Sequence, residues 1–341
     1  MTTFSTAALP DVAPPDPTKH VRYTLGMVLG VDDFTQESAY VLGRTKRVVA
    51  DLLGYGVSCG LRVTVDTDPD KGPRINVAPG EAVTPSGQLV CVTPAQCAFV
   101  NEWLRANRAE VERMMSPPAG PLPLYVVACY RECATDDVPI PGEPCRSVDE
   151  LMAPSRTQDD FALELSLKQP APGEQATERA FARWLAEIPV VNTPGAGPEA
   201  FLGDLRAALQ MTTGSPPSSP PSSPPTPTSF LATPPPPGLE IPGSDAAAYF
   251  DAAFRFWATD LRPLARGGIH GGECGCGGTM APNKDVDCVL LAELTVPIVV
   301  DAVSGELVAD TAPIAIDELS RPTLASLSFL QELVLAQETA P

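Results

Sequence analysis

A proline-rich stretch constrains the fold of this chain more than any other feature. Residues 215–237 read SPPSSPPSSPPTPTSFLATPPPP. Proline lacks an amide hydrogen and fixes its φ angle, so neither a helix nor a central strand continues through such a run. The composition is typical of extended polyproline or disordered segments. We therefore predict a proline-rich linker over 214–243 that interrupts the 341-residue chain.

The sequence on either side of this linker predicts an α+β fold. Residues 1–20 are punctuated by proline and are expected to form a flexible arm. Residues 21–116 predict a helix followed by a small antiparallel β-domain. A mixed α/β domain is expected in two parts, 117–213 and 244–341, and the second part ends in a C-terminal helix.

Local patterns set the expected elements. Asp33 and Gln36 have capping-box spacing ahead of a helical apolar period, which predicts a helix over about 33–53. The alternation that follows predicts one strand with a shared apolar face, made of Val57, Cys59, Leu61, Val63 and Val65. Continuous apolar runs predict strands that begin near Leu122 and at Cys288. Further helices are expected at about 98–115, 174–187, 199–210 and 244–259, the last with Phe250, Phe254 and Trp257 on one face.

The charge balance argues against several classes of function. The chain has 42 acidic and 23 basic residues, a formal net charge of -19. Such a surface repels phosphate backbones and anionic lipid head groups, so we expect no nucleic-acid partner. The sequence has no apolar run of about 18 residues, so we expect no segment that spans a membrane. The N-terminal residues lack the basic and apolar regions of a secretory signal, so we expect cytoplasmic assembly.

The chain has nine cysteines, which divide by context. Cys59 and Cys91 fall within apolar strand patterns, and we expect them, with Cys97, to pack in the core as small hydrophobic residues. The other six form two groups of three. In a reducing compartment, grouped cysteines more often hold metal than form bridges.

These two groups predict a metal site. Cys129 and Cys288 lie on apolar strands that we expect to be neighbours in one sheet. The loop that follows the Cys129 strand and the loop that precedes the Cys288 strand would then meet at the same edge of that sheet. A structural zinc ion held by four thiolates is then expected. The predicted ligands are Cys133, Cys145, Cys274 and Cys276, with His270, Cys129 and Cys288 as alternates. Disulfides or unpaired thiols remain alternatives for the same residues.

No motif predicts a catalytic or cofactor-binding residue. The chain has two histidines, and neither His20 nor His270 lies near a nucleophile elbow. The glycine-rich GYGVSCG follows a helix and precedes a strand, which is the wrong order for a dinucleotide site. The sequence therefore favours a protein that is not an enzyme.

Residues 21–63 resemble a known family. The chain reads VRYTLGMVLGVDDFTQESAYVLGRTKRVVADLLGYGVSCGLRV there, and it resembles proteins encoded with phage-tail-like contractile injection systems and the N-terminal segments of phage tail or baseplate proteins. The matching positions are Tyr23, Gly26, Met27, Leu29, Asp33, Phe34, Arg44, Gly54, Gly56, Val57, Gly60 and Leu61. Thr24 departs from the family, where a phenylalanine often follows the tyrosine. Residues 130–165 and the glycine-cysteine loop leading into 287–294 are similar to the injection-system members too.

The resemblance implies a structural subunit at the baseplate or its periphery, in a cage or a fibre attachment. It also implies that residues 21–116 dock on baseplate or tail proteins of the same particle, and that the chain forms a homo-oligomer. Two alternatives are kept. One is a receptor- or glycan-binding, fibre-like module, and the other is a zinc-dependent hydrolase.

Overall fold

The computed structural model describes residues 15–115, 117–139, 152–170, 174–211, 230–265 and 287–338. Within these ranges the fold is α+β, as the sequence predicts. The helices are α1 (Val31–Val48), α2 (Val100–Ala106), α3 (Arg108–Met114), α4 (Glu174–Ala186), α5 (Pro198–Met211), α6 (Ala246–Phe256) and α7 (Leu327–Glu338). Single π-helical turns extend α1 over Val49–Leu53 and α6 over Trp257–Leu261. In the described ranges, no helix is both long and apolar enough to cross a bilayer.

The strands form three antiparallel sheets and one short parallel pair. The strands are β1 (Gly56–Gly60), β2 (Val63–Asp68), β3 (Gly72–Val77), β4 (Gly80–Val83), β5 (Leu89–Val92), β6 (Gln96–Phe99), β7 (Gly120–Pro139), β8 (Met152–Ser166), β9 (Val190–Val191), β10 (Ile241–Pro242), β11 (Cys288–Val300), β12 (Leu307–Ala309) and β13 (Ala315–Asp317). Two three-stranded sheets have the orders β1-β4-β5 and β2-β3-β6. The five-stranded sheet has the order β12-β11-β7-β8, and β13 also pairs with β11. β9 and β10 pair in parallel.

The strand predicted over residues 57–65 is two strands, so this prediction is wrong. Gly60 and Leu61 both have positive φ angles, 65° and 55°. The chain turns there, and β1 then pairs with β4 while β2 pairs with β3. The fully buried Leu61 side chain at this turn offsets the strained backbone, because a buried leucine stabilises the fold by about 1.5–3 kcal/mol.

The main hydrophobic core lies between the sheets and helices α2 and α3. One face of β7 supplies Leu122, Leu124 and Val126, and β11 supplies Val289 and Leu291. The opposite face of the same two strands carries a smaller cluster around Val127 and Leu290. Both faces are therefore buried over residues 126–129 of β7 and 288–292 of β11. The main core contains residues from both sides of the domain limit predicted at 116/117. The domain limits stay a prediction.

A second core is built by helices. Its members are Phe181, Trp184, Ile188, Phe201, Leu202, Leu205, Ala208, Leu209, Phe230, Leu239, Ile241, Tyr249, Ala252, Ala253, Phe256, Trp257 and Leu261. The predicted linker over 214–243 meets this core in its second half. Phe230 is 1% exposed, and its ring packs against that of Trp184 in a tilted arrangement with ring centroids 4.9 Å apart. Phe230, Leu239 and Ile241 thus anchor residues 230–243 to the helical core, and residues 212–229 lie outside the described ranges.

Candidate docking surface and cysteine positions

Residues 16–21, which precede α1, form hydrogen bonds with polar side chains on one side of this helix. Gln36 accepts a hydrogen bond from the Asp16 amide at 2.9 Å, and its side-chain amide donates to the Asp16 carbonyl oxygen. Glu37 accepts a hydrogen bond from the Val21 amide at 2.8 Å. The His20 ring lies 5.0 Å from the Tyr40 ring, measured between centroids. Residues 16–21 therefore cover one side of α1 with polar and aromatic contacts.

The C-terminal end of α1 is fixed to the body of the protein. Gly87, in the β4–β5 turn, lies so close to Lys46 that an added Cβ would overlap the Lys46 carbonyl oxygen. Gly87 also has a φ of 84°, which favours glycine. Arg262 donates a hydrogen bond to the Asp51 carbonyl oxygen at 2.7 Å and forms an ion pair with Glu174. This arginine links the end of α1 to the helical part of the protein.

The apolar side of α1 and the loop before it face outward. Val31–Val48 is described in full, and none of its residues is buried. Tyr23 is 59% exposed and Phe34 is 58% exposed, although both are large and apolar. The other exposed large apolar residues of this region are Leu25, Met27, Val28, Leu29, Val31, Val41, Leu42, Val48, Leu52 and Leu53. Exposed apolar side chains grouped in this way are typical of protein interaction sites.

This exposed region coincides with the residues that carry the sequence resemblance. The capping box expected between Asp33 and Gln36 is not formed: the helix begins one turn earlier with Gly30 as its capping residue, and Asp33 accepts a hydrogen bond from the Gly30 amide at 2.8 Å while Gln36 binds Asp16. Gly26 has a φ of 85° and closes a turn in which the Met27 amide donates to the Thr24 carbonyl oxygen. We call residues 23–29 the apolar loop. The arrangement can bind another protein surface, and it offers no chemistry of its own.

The C-terminal segment returns to the start of the sheet domain. The Val57 amide donates to the Pro322 carbonyl oxygen, and the Leu324 amide donates to the Val57 carbonyl oxygen, both at 2.9 Å. Helix α7 begins just beyond this contact, and Leu327 and Phe329 are exposed on it. The apolar start of α7 is a second exposed surface.

Two of the alternate metal ligands are bonded to each other. Cys129 on β7 and Cys288 on β11 are register partners, which confirms the prediction that their strands are neighbours. A disulfide joins the two residues, and their Cα atoms lie 4.1 Å apart. A disulfide sulfur has no thiolate charge to bind a metal. In this structure Cys129 and Cys288 are therefore a covalent link and not alternate zinc ligands.

Of the four primary predicted ligands, the structure describes Cys133 alone. Cys133 lies on β7, and its thiol donates to Asp160 Oδ2 at 3.3 Å. Arg131 forms an ion pair with the same carboxylate. The pKa of Asp160 is lowered to about 2, mainly by the Arg131 hydrogen bond and further by the Phe161 amide and the Cys133 thiol. Cys145, Cys274, Cys276 and the alternate His270 lie outside the described residues.

Within the described ranges, no group of three or more histidine, cysteine, aspartate or glutamate residues could hold a metal ion. The zinc site stays a prediction, because three of its four ligands are not among those residues.

The three cysteines predicted to lie in the core are exposed instead. A β-bulge between Val57 and Cys59 shifts the alternation, so Val57 is buried and Cys59 is not. On β5 the residues that face the core are Val90 and Val92, which places Cys91 on the other side. Partial burial, with the charges of Glu81 and Asp159, raises the pKa of the Cys91 thiol. Cys91 is therefore a poor nucleophile, because the thiol and not the thiolate is favoured.

Helix α6 presents an aromatic pair that the sequence placed incorrectly. Phe250 and Phe254 are exposed, whereas Trp257 is buried in the helical core. The three residues do not share a face as predicted. Tyr249 and Phe256 occupy the core-facing side, so aromatic residues line both sides of this helix and the sequence alone does not tell the sides apart.

No protein-family model matches the chain. No curated protein matches it. Among solved structures, one match is a chain of the TssK–TssF–TssG baseplate subcomplex of the type VI secretion system, determined by cryo-electron microscopy. It has 10% identity and a TM-score of 0.25, and the match covers 57% of this chain and 71% of that chain.

A second match is the crystal structure of TssK, with 13% identity and a TM-score of 0.24. This match covers 57% of the present chain and 48% of TssK, so the chain spans about half the length of that protein.

Proposed function

We propose that this protein is a structural subunit of a contractile injection system or related phage-tail-like particle, located at the baseplate or its periphery, and that it is not an enzyme. The observation that carries this proposal is the exposure of the apolar loop and of α1 in the very segment that resembles injection-system proteins. A chain that folded for use alone would bury such side chains, because each exposed apolar side chain forgoes roughly 1.5–3 kcal/mol of burial.

The attachment we propose uses the apolar loop as the contact with a tail or baseplate protein. Tyr23, Leu25 and Val28 project from a short loop whose centre is closed by the turn at Gly26 and whose start follows residues 16–21, which are held on α1. A fixed loop loses little conformational entropy on binding, which favours affinity. The net charge of -19 favours a partner surface with basic residues around an apolar centre.

The test is copurification of the full chain with the particle from cells that produce both. Deletion of residues 21–63 is unsuitable, because it removes β1 and the buried Leu61 and Val63. The triple variant Tyr23→Ser, Leu25→Ser and Val28→Ser keeps the core, and we expect it to lose copurification.

The matched control exchanges three exposed apolar residues elsewhere, Phe250→Ser, Phe254→Ser and Val303→Ser, and we expect it to copurify as the unchanged chain does. Full copurification of the loop variant would overturn the proposal. Equal loss in both variants would overturn it too, since the loop would then have no special role.

A second candidate function is a glycan- or receptor-binding module. The observation that favours it is the exposed pair Phe250 and Phe254, one helical turn apart on α6. Aromatic faces stack on apolar sugar faces, so binding on a glycan array that is lost in Phe250→Ala with Phe254→Ala would support this function. A glycan array without a specific signal would rule out this second function and leave the structural role as the remaining candidate.

A further inference from the structure

Helix α1 carries a stripe of exposed residues with the spacing of a coiled-coil seam. The residues follow each other at alternating intervals of three and four positions, and all are exposed. We call them the α1 stripe: Val31, Phe34, Ser38, Val41, Thr45, Val48 and Leu52. This spacing keeps one line of side chains on a single side of a helix over three heptads, which suits packing against another helix.

The α1 stripe is not turned toward the rest of the protein. Residues 16–21 lie against Gln36 and Glu37, beside the stripe, and the body of the protein holds the helix end through Gly87 and Arg262. In the part of the chain that the structure describes, no residue of α1 is buried. The stripe is therefore accessible to a second helix along its whole length.

The charges along α1 indicate which helix fits. The first turn carries Asp32 and Asp33, and the last turn carries Lys46 and Arg47. These four residues lie on the side of α1 away from the stripe and make no direct pair across it. An antiparallel second copy nevertheless opposes the two helix dipoles and brings the acidic end of one helix to the same end as the basic end of the other, which is favourable at longer range. A parallel copy would place like charges together at both ends.

We propose that α1 pairs antiparallel with α1 of a second copy of this chain, through the α1 stripe and around a two-fold axis. In this pairing, Val41 lies opposite Ser38 of the second copy, and Phe34 lies opposite Thr45 of the second copy. Large side chains then meet small ones in the inner layers. Val48 lies opposite Val31 of the second copy and closes each end with an apolar contact.

The same register also pairs the charges that flank the stripe. Glu37 and Arg44 lie one heptad apart along the same edge of the stripe, and in the antiparallel register Glu37 of each copy lies beside Arg44 of the other. The two-fold symmetry repeats every contact, as in most homodimers. In this register Leu52 falls at the position of residue 27 of the second copy, at the edge of its apolar loop. The tests below change Val41, Glu37 and Arg44, none of which belongs to the apolar loop, so a failure of the pairing is distinguishable from a failure of the function proposed above.

Sedimentation velocity of the full chain over a concentration series tests the pairing. We expect a reversible monomer–dimer equilibrium. Val41→Lys places two unpaired charges at the centre of the seam and should raise the dimer dissociation constant by about 100-fold or more. The control Phe254→Lys, which changes an exposed apolar residue on α6, should leave the constant unchanged. A wild-type chain that stays monomeric, or a dimer that Val41→Lys does not weaken, would overturn the proposal.

A charge exchange tests the antiparallel orientation. Glu37→Arg alone and Arg44→Glu alone should each weaken the dimer roughly 10-fold, because like charges then face each other twice. An equimolar mixture of the two variants should recover a tight heterodimer, since every flanking pair is opposite again.

The control Glu37→Gln keeps an acceptor for the Val21 amide and should weaken the dimer less than Glu37→Arg. A mixture that dimerises no better than the separate variants would overturn the antiparallel register, because a parallel pair does not bring residues 37 and 44 together.

Discussion

Cys129 on β7 and Cys288 on β11 lie directly opposite each other in an antiparallel ladder, and a disulfide joins them across 159 residues of sequence. The bond lies on the smaller hydrophobic cluster, beside Val127 and Leu290. It therefore closes the loop that contains β8 and the whole helical core. A link across so long a loop restricts the unfolded chain, and this restriction stabilises the folded state.

We predict that the double variant Cys129→Ala with Cys288→Ala lowers the free energy of unfolding by about 2–4 kcal/mol, since removal of the link restores freedom to the unfolded chain. Urea unfolding followed by fluorescence measures this. Cys59→Ala, at an exposed position, is the control and should change stability by less than about 0.5 kcal/mol. An unchanged midpoint in the double variant, with the wild-type bond verified by peptide mass, would contradict the prediction.

The neighbouring positions of Cys129 and Cys288 could be predicted from the sequence, and their bond was left open there. Cys129 lies near the end of one long apolar run and Cys288 begins another, and such runs indicate central strands of one sheet. The sequence did not decide between metal and disulfide for the six grouped cysteines. That choice depends on the register of β7 against β11, and register is set by the whole sheet and not by either strand alone.

Local irregularities explain most of what the sequence missed. The bulge after Val57 and the positive φ of Leu61 split a regular alternation into two strands in different sheets. A bulge is one extra residue, and it leaves no mark in a hydrophobic pattern. The π-turn at the end of α6 and its aromatic residues on both sides likewise hid the core-facing side, so Phe254 was expected beside Trp257.

The α1 helix was predictable because its apolar period depends on neighbouring residues, but its predicted capping pair, Asp33 with Gln36, was wrong. Asp33 binds the Gly30 amide, and the apolar period continues to Leu52. The exposure of that apolar side was not predictable, since an amphipathic pattern normally indicates the side that faces a core. Only the position of α1 relative to the sheets shows that its apolar side faces outward.

Two phenylalanines on α6 allow a matched test of the helical core. Phe256 is 0% exposed and Phe254 is 66% exposed. We predict that Phe256→Ala lowers the free energy of unfolding by about 3–5 kcal/mol, because it leaves a cavity beside Phe181 and Phe230. Phe254→Ala should change it by less than about 0.5 kcal/mol. Equal effects in chemical denaturation would show that the two sides of α6 are assigned incorrectly.

The Arg131–Asp160 ion pair predicts a specific acid titration. The pKa of Asp160 is lowered to about 2 from its usual 3.8, so the carboxylate form is favoured in the folded chain. A lowered folded-state pKa adds stability above the unfolded value, and this contribution is lost as the pH falls from about 4 to about 2. Arg131→Gln should raise the pKa of Asp160 toward 3.8.

Carboxyl ¹³C chemical shifts during an acid titration measure this change. Arg156→Gln is the control, since Arg156 pairs with Asp136 on the same two strands. Arg156→Gln should leave the pKa of Asp160 unchanged. An Asp160 midpoint that does not move in Arg131→Gln would contradict the assigned cause of the lowered pKa.

The zinc content of the purified protein tests the predicted zinc site. Four thiolates from Cys133, Cys145, Cys274 and Cys276 would close a tetrahedral coordination sphere, which serves stability and leaves no position for a reacting water. We predict about one zinc ion per chain in protein purified without oxygen or chelators, measured by elemental analysis. Cys274→Ser with Cys276→Ser should lose the metal.

Cys59→Ser with Cys97→Ser removes two exposed thiols outside the predicted ligand set, so this control should keep the metal. Chelation should also lower the midpoint of thermal unfolding in the wild type and not in the Cys274→Ser, Cys276→Ser variant, because a metal that binds only the folded chain stabilises it by mass action. Wild-type protein without zinc would contradict the site. Its cysteines outside Cys129 and Cys288 would then be free thiols or further disulfides, which thiol counting under denaturing conditions distinguishes.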